Sequence, residues 1–162
     1  MFGIAYILWN VQNVPSYTPT SAKSENIYTN TEYGFRFTYP QGWHLGDNNF
    51  ERGTFQLFNY SESEASGSVF PVGTNKIEAR ISANNTYGTS DDYPQKTRTV
   101  TEVNIAGQKA TRMEVELIGG EKILSYTISL PQNNGEFLAI TIYGDSSNFY
   151  VLEELIADIE WL

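Results

Sequence analysis

Thr97–Tyr143 reads TRTVTEVNIAGQKATRMEVELIGGEKILSYTISLPQNNGEFLAITIY. Its side chains alternate within four runs: Thr97–Ile105, Gln108–Leu117, Lys122–Leu130 and Glu136–Tyr143. The links between them are short. They are Ala106-Gly107, then Ile118-Gly119-Gly120-Glu121, then Pro131 to Gly135 with its Asn134-Gly135 turn signal. Short Gly-containing links join antiparallel neighbours, so these runs are predicted to form a meander. In the second run Thr111, Met113, Val115 and Leu117 face one way, and Arg112, Glu114 and Glu116 the other. In the fourth run Leu138, Ile140 and Ile142 alternate with Phe137, Ala139 and Tyr143, which are also largely apolar. A strand apolar on both sides belongs in the middle of a sheet with something covering each face.

Downstream, Leu152, Leu155, Ile156, Ile159 and Leu162 are spaced as one stripe of a helix, with Glu153, Glu154, Asp158 and Glu160 outside it. Asp145, Ser146 and Ser147 supply N-cap candidates. A helix over about 147–160 is predicted to lie on the sheet. Upstream, Tyr33, Phe35, Phe37 and Tyr39 alternate with Gly34, Arg36 and Thr38, and Pro40-Gln41-Gly42 ends that strand. A return strand from Trp43 to Asp47, a strand Gly53–Tyr60, a loop over 61–74 and a strand carrying Ile77, Ala79 and Ile81 follow. Residues 84–96, with Gly88 and Pro94, leave room for a helical turn or two. The expected fold class is α+β, with a single antiparallel layer running from Tyr33 to Tyr143 and the C-terminal amphipathic helix packed on it.

At 162 residues the chain fits one domain. Its charge sum is 10 − 19 = −9, which argues against a phosphate-tracking surface, because nucleic-acid binders cluster Lys and Arg. The absence of cysteine excludes disulfides, thiol catalysis and Cys-based zinc sites, and His44 alone cannot make a His-rich metal site.

The first nine residues, MFGIAYILW, are apolar apart from the Tyr6 hydroxyl. A span of hydrocarbon needs about 20 residues. The segment therefore reads as the tail of an anchor, a weak interfacial anchor or a stretch packed on the body. Residues 10–31 are rich in Asn, Ser, Thr and Pro, the composition of a solvated spacer, and favour the first reading. A frayed terminus of a soluble protein is the plain alternative. The domain division is 1–25 for stub and spacer and 26–162 for the globular body.

Residues 28–43 carry Tyr28, Tyr33-Gly34-Phe35, Phe37, Tyr39-Pro40, Gly42 and Trp43. This stretch resembles the opening signature of PsbP-like proteins, and the layout of 97–162 resembles the family's ending. The resemblance implies an α/β/α sandwich around a central antiparallel sheet. The family includes the extrinsic subunit of the oxygen-evolving photosystem, and a nuclear transport factor that binds the GTPase Ran shares the fold. Bacterial relatives are commonly tethered outside the cytoplasm behind polar spacers. Family members carry a substantial helix between the early strands and the meander. The short 84–96 segment here implies a reduced middle helix, and no partner-binding residue carries over.

Each chemical candidate has a plainer reading beside it. His44 stands at a strand start, with no nucleophile or orienting carboxylate marked for it. Asp91-Asp92 with Thr89 and Ser90 lack the alternating ligands of a calcium loop and read as a solvated loop. Glu114 and Glu116 with Arg112, and Glu78 with Arg80, fit a water-facing surface of paired charges better than a glycosidase carboxylate pair. Tyr33, Phe35, Phe37, Tyr39, Trp43, Phe55 and Phe58 fit a core better than a ligand groove, and Trp161 an edge plug or contact patch. Asn59-Tyr60-Ser61 and Asn84-Asn85-Thr86 match the glycosylation triplet, which matters only in a eukaryotic host.

No catalytic, cofactor-binding or metal-binding residue is assigned, and no cofactor is expected. The expectation is a non-enzymatic, extracytoplasmic, membrane-tethered monomer that binds or scaffolds an unidentified protein, without nucleic acid. A small-ligand carrier with its pocket between sheet and helix, or a carboxylate-dependent hydrolase, are the alternatives. Loops 61–74 and 84–96 are the expected recognition elements.

Overall fold

The computed structural model describes residues 26–46, 53–60, 72–83, 94–132 and 135–162. Ten strands and one α-helix follow in order: β1 Asn26–Asn30, β2 Phe35–Tyr39, β3 His44–Leu45, β4 Gly53–Phe58, β5 Asn75–Ser82, β6 Gln95–Ile105, β7 Gln108–Leu117, β8 Lys122–Ser129, β9 Phe137–Gly144, α1 Phe149–Ala157 and β10 Glu160–Trp161. Among the described residues all pairings are antiparallel.

The strands form two sheets rather than the single layer expected. A seven-stranded sheet has the order β3-β4-β5-β9-β8-β7-β6, and a three-stranded sheet has the order β1-β2-β10. The β6–β9 meander is present as predicted, and β9, apolar on both sides, lies at the centre of the large sheet. The strand read around Tyr33–Tyr39 leaves that sheet because its edges are taken elsewhere. Asn26–Asn30, placed within the spacer composition, pairs along one edge of β2, and Glu160–Trp161 along the other. The helix accordingly ends at Ala157, short of the expected 160. Ser146–Asn148 form a 3-10 turn before it, and the Asp145 carboxylate accepts the Ser147 amide at 2.9 Å.

Directly opposed residues share a sheet face. Register therefore places Phe55, Leu57, Ile77, Ala79, Ile81, Leu124, Ile128, Leu138, Ile140 and Ile142 on one face of the large sheet. On that face α1 sets Val151, Leu152, Leu155 and Ile156, and the small sheet sets Phe35 and Phe37, all in one core. Fully burying an aliphatic or aromatic side chain is worth about 1.5–3 kcal/mol. The α1 stripe thus holds the helix on the sheet as the sequence predicts. The small sheet is joined by aromatic contact: Phe37 and Phe55 rings lie 4.7 Å apart, Tyr28 and Phe55 5.1 Å.

Gly144 ends β9 at φ +108, where an added Cβ would collide with the Thr74 carbonyl oxygen. This lets Asn75, fully buried, donate from its amide to the Tyr143 and Asp145 carbonyls at 3.1 and 2.9 Å. The corner that turns the chain from β9 toward α1 is fixed by these bonds.

Candidate binding surface

Among the described residues, the sequence-marked candidates scatter rather than converge. His44 is exposed on two-residue β3, opposite Phe58 in register. Asp91-Asp92, most of loops 61–74 and 84–96, and the triplet at Asn84 lie outside the described residues, as do 1–25. Within the described part of those loops, Gln95 and Lys96 already belong to β6. Most of the aromatic set is core, with Phe35, Phe37, Trp43 and Phe55 buried and Tyr33 and Tyr39 packed partly buried against them, but Phe58 is half-buried on the other face of the large sheet, opposite Lys76 and beside Tyr60. Trp161 stands edge-on to Phe35 at 6.4 Å, half-buried. Among the described residues, no group of three His, Cys, Asp or Glu side chains could hold a metal ion. No described helix is long and apolar enough to cross a membrane.

The carboxylates are engaged with basic partners and lie on opposite faces of the sheet. Glu78, 8% exposed, sits between Lys76 at 2.7 Å and Arg80. Burial pushes its carboxyl up, but the hydrogen bonds and charges of Lys76 and Arg80 outweigh that and leave it below its ordinary value. Glu116 is also held low, by Lys96 at 2.6 Å. General-acid carboxyls of a glycosidase need raised values. These two are lowered, which counts against the hydrolase reading.

One correction concerns β7. Register puts Arg112 and Glu114 on the core face with Tyr126 and Leu124, and Met113 and Val115 on the far face. The charged side is therefore the α1 side. Arg112 reaches Glu153 of α1 at 2.9 Å, Glu114 at 3.3 Å, and donates to the Tyr126 hydroxyl at 3.2 Å. The guanidinium closes the rim of the helix–sheet interface rather than facing open water.

The expected pocket between sheet and helix is filled: Leu138, Ile140, Ile142, Leu152 and Leu155 are 0–1% exposed. A cavity of about 360 Å³ opens instead toward the other face, bordered by Glu102, Lys109, Thr111, Thr127, Ser129 and Phe137. Register explains its position. Glu102, Thr111, Thr127 and Ala139 stand in one cross-strand row, and Ser129 and Phe137 form the next pair. The short side chains of the first row leave a trough between Met113, opposite Ser125, and the half-buried Phe137 ring. Three hydroxyls, one carboxylate, one ammonium and one aromatic face line it. Such a set supplies hydrogen bonds and a stacking surface, without a nucleophile–base pair. None of these residues was marked in the sequence, because their proximity exists only through the register of four adjacent strands.

No family model matches the chain, and no curated protein matches it in sequence. Thirteen chains of solved structures resemble it. Cyanobacterial PsbP (CyanoP) from Synechocystis sp. PCC 6803 aligns with a TM-score of 0.55 at 14% identity, covering 91% of this chain and 98% of that one. The Saccharomyces cerevisiae Ran-binding protein Mog1p aligns with a TM-score of 0.53 at 10% identity, covering 86% and 96%. The chain therefore has the α+β fold of the PsbP and Mog1p type, a mostly antiparallel sheet carrying one C-terminal helix. At these identities the likeness concerns the fold.

Proposed function

We propose that the domain is a protein-binding or scaffold module held near a membrane, outside the cytoplasm, by residues 1–25, and that the β6–β9 trough is where its partner docks. The observation that carries this reading is the trough itself: an open, hydroxyl-lined depression with one charge of each sign and the Phe137 ring. It stands on a rigid sheet whose opposite face is sealed by α1. The fold shared with a protein described as Ran-binding supports a recognition role by analogy. The apolar stub and polar spacer support the tether.

The trough also favours a second reading, a small-ligand carrier, since about 360 Å³ falls within the usual range of ligand sites, about 300–1,000 Å³. One experiment separates them. A photo-cross-linking amino acid replaces Lys109 in the trough or Tyr150, exposed on α1, in the full chain in its native cells. A discrete protein adduct from position 109 and none from 150 is expected. No adduct at 109, with a small molecule retained in native mass spectrometry, transfers the role to ligand carriage. Neither signal rejects the trough as a site. Recovery of the native full-length product in the soluble cytoplasmic fraction rejects the tether.

A further inference from the structure

The sheet edges of this domain are unequal. The large sheet ends on one side at β3, two residues long, and the small sheet at two-residue β10 and five-residue β1. The other end of the large sheet is β6, eleven residues long. From Lys96 to Glu102 every β6 residue is exposed, on both faces. Natural sheets blunt such edges with short strands, prolines, bulges or charged side chains, because unpaired amides and carbonyls invite another strand. β6 has no proline within it, and its register irregularity falls at its start, between Gln95 and Thr97.

What it carries instead is a symmetric pattern. On the face away from α1, β6 presents Arg98, Val100 and Glu102 in sequence, opposite Val115, Met113 and Thr111 of β7. Val100 is 51% exposed. Among the described residues neither Arg98 nor Glu102 has an ion-pair partner, whereas Lys96, Arg112, Glu114 and Glu116 all do.

We infer that β6 is an interface for a second copy of this chain, pairing with its own symmetry mate as antiparallel strands about a two-fold axis at Val100. The register follows from the pattern. In an antiparallel pair related by a two-fold axis normal to the sheet, opposed residues lie on the same face, so their separation from the axis is equal. Centred on Val100, each Arg98 stands opposite the other copy's Glu102, and Val100 opposite Val100. On the second face Thr99 meets Thr101, and Thr97 meets Val103. Sliding by one step that preserves the faces sets Val100 against Arg98, with Glu102 opposite Lys96, which already pairs with Glu116, or sets Val100 against Glu102; either loses the apolar pair and both Arg98–Glu102 pairs. The self-complementarity of Thr97–Val103 thus selects both the partner and the alignment. The two large sheets then run on as one across both copies.

This goes beyond the trough reading and replaces the expected monomer with a self-associating domain. A strand pair alone lies at the small end of specific interfaces, so the association is concentration-dependent.

The chain contains no cysteine, so a single introduced thiol reports only on itself. Val100→Cys in the full chain, oxidised with copper-phenanthroline, is expected to give a covalent dimer on a non-reducing gel. Opposed Cα atoms of antiparallel strands are about 4.5–5.5 Å apart, within disulfide reach. Ile27→Cys, at a position still more exposed on β1, is the control and is expected to stay monomeric. Adding Arg98→Glu, or Glu102→Arg, to Val100→Cys places like charges opposite one another and is expected to cut the dimer yield at least several-fold. Mixing those two variants restores complementary charge at both positions and is expected to restore the yield as a heterodimer. Equal cross-linking from positions 100 and 27, or single reversals without effect, or no rescue on mixing, would overturn the inference. Its failure leaves the adduct at position 109 untouched, so the two readings fail separately.

Discussion

The Asp158 carboxylate accepts a hydrogen bond from the Thr38 backbone amide at 2.6 Å. Asp158 closes the C-terminus of α1, where a negative charge opposes the helix dipole. It also sits just before β10, whose two residues pair only with Phe35 and Arg36. The side chain therefore continues the edge of β2 by one bond beyond the strand that ends there.

Replacing that carboxylate separates the two effects. Asp158→Ala leaves the Thr38 amide without its acceptor and is expected to cost about 1 kcal/mol. Asp158→Asn keeps an acceptor oxygen and relieves the dipole conflict, so it is expected to be near neutral. Urea unfolding midpoints of the two variants, compared with the parent, test this.

The β6–β7 hairpin holds an avoidable strain. Ala106, the first of its two turn residues, has φ +48, and Gly107 has φ +86. A turn with both central residues in the left-handed region favours Asn-Gly. Ala106→Asn is expected to raise stability by part of the roughly 1–2 kcal/mol that a Cβ-bearing residue pays in that region, because the Asn side chain hydrogen-bonds locally. Thermal unfolding measures the gain.

Glu78 sets a pH dependence. Its folded carboxyl titrates below its ordinary value of 4.5. Its contribution is therefore fully present above the ordinary value and is lost as pH falls from there through the lower folded value. Stability is expected to decline as pH falls below the ordinary carboxyl value of 4.5, and Glu78→Gln is expected to flatten that decline while lowering stability at neutral pH. Chemical denaturation at a series of pH values, parent against variant, reads both effects.

Tyr28 ties the sheets together by a bond as well as by its ring. Its hydroxyl donates to the Thr54 carbonyl at 2.5 Å, at the register irregularity of β4, and accepts from Asn30 at 3.2 Å. Burial raises the phenol above its ordinary value, and the Asn30 contact only partly offsets this. Tyr28→Phe retains the ring contacts and is expected to cost about 1 kcal/mol. Hydrogen exchange should report faster opening of β1 and β2 than of β9.

Much of the architecture was legible in the chain, and the failures share a cause. Alternation located β2, β4, β5 and the meander, and the spacing of Leu152, Leu155 and Ile156 located α1. Periodicity assigns two faces to a strand but does not say what meets each face. That is why Met113 and Val115, apolar and alternating, turned out on the far side and Arg112 on the helix side. β10 is too short to have a period, and without it β2 had no reason to leave the large sheet. β1 reads NIYTN, with Ile27 62% exposed; only its β-formers Ile27, Tyr28 and Thr29 hinted at a strand within polar surroundings. The trough was invisible because its residues come from four strands and are individually ordinary.

The small sheet joins residues from opposite ends of the described body: Arg36 and Glu160, bonded at 2.7 Å, are 124 positions apart. Loop-closure entropy makes such distant pairings late events in folding. During synthesis, β2 must wait for nearly the whole domain before its second edge can be occupied. Until then the Phe35 ring lacks the Trp161 edge that packs on it, and the nascent chain passes through a stage in which chaperones can hold it open.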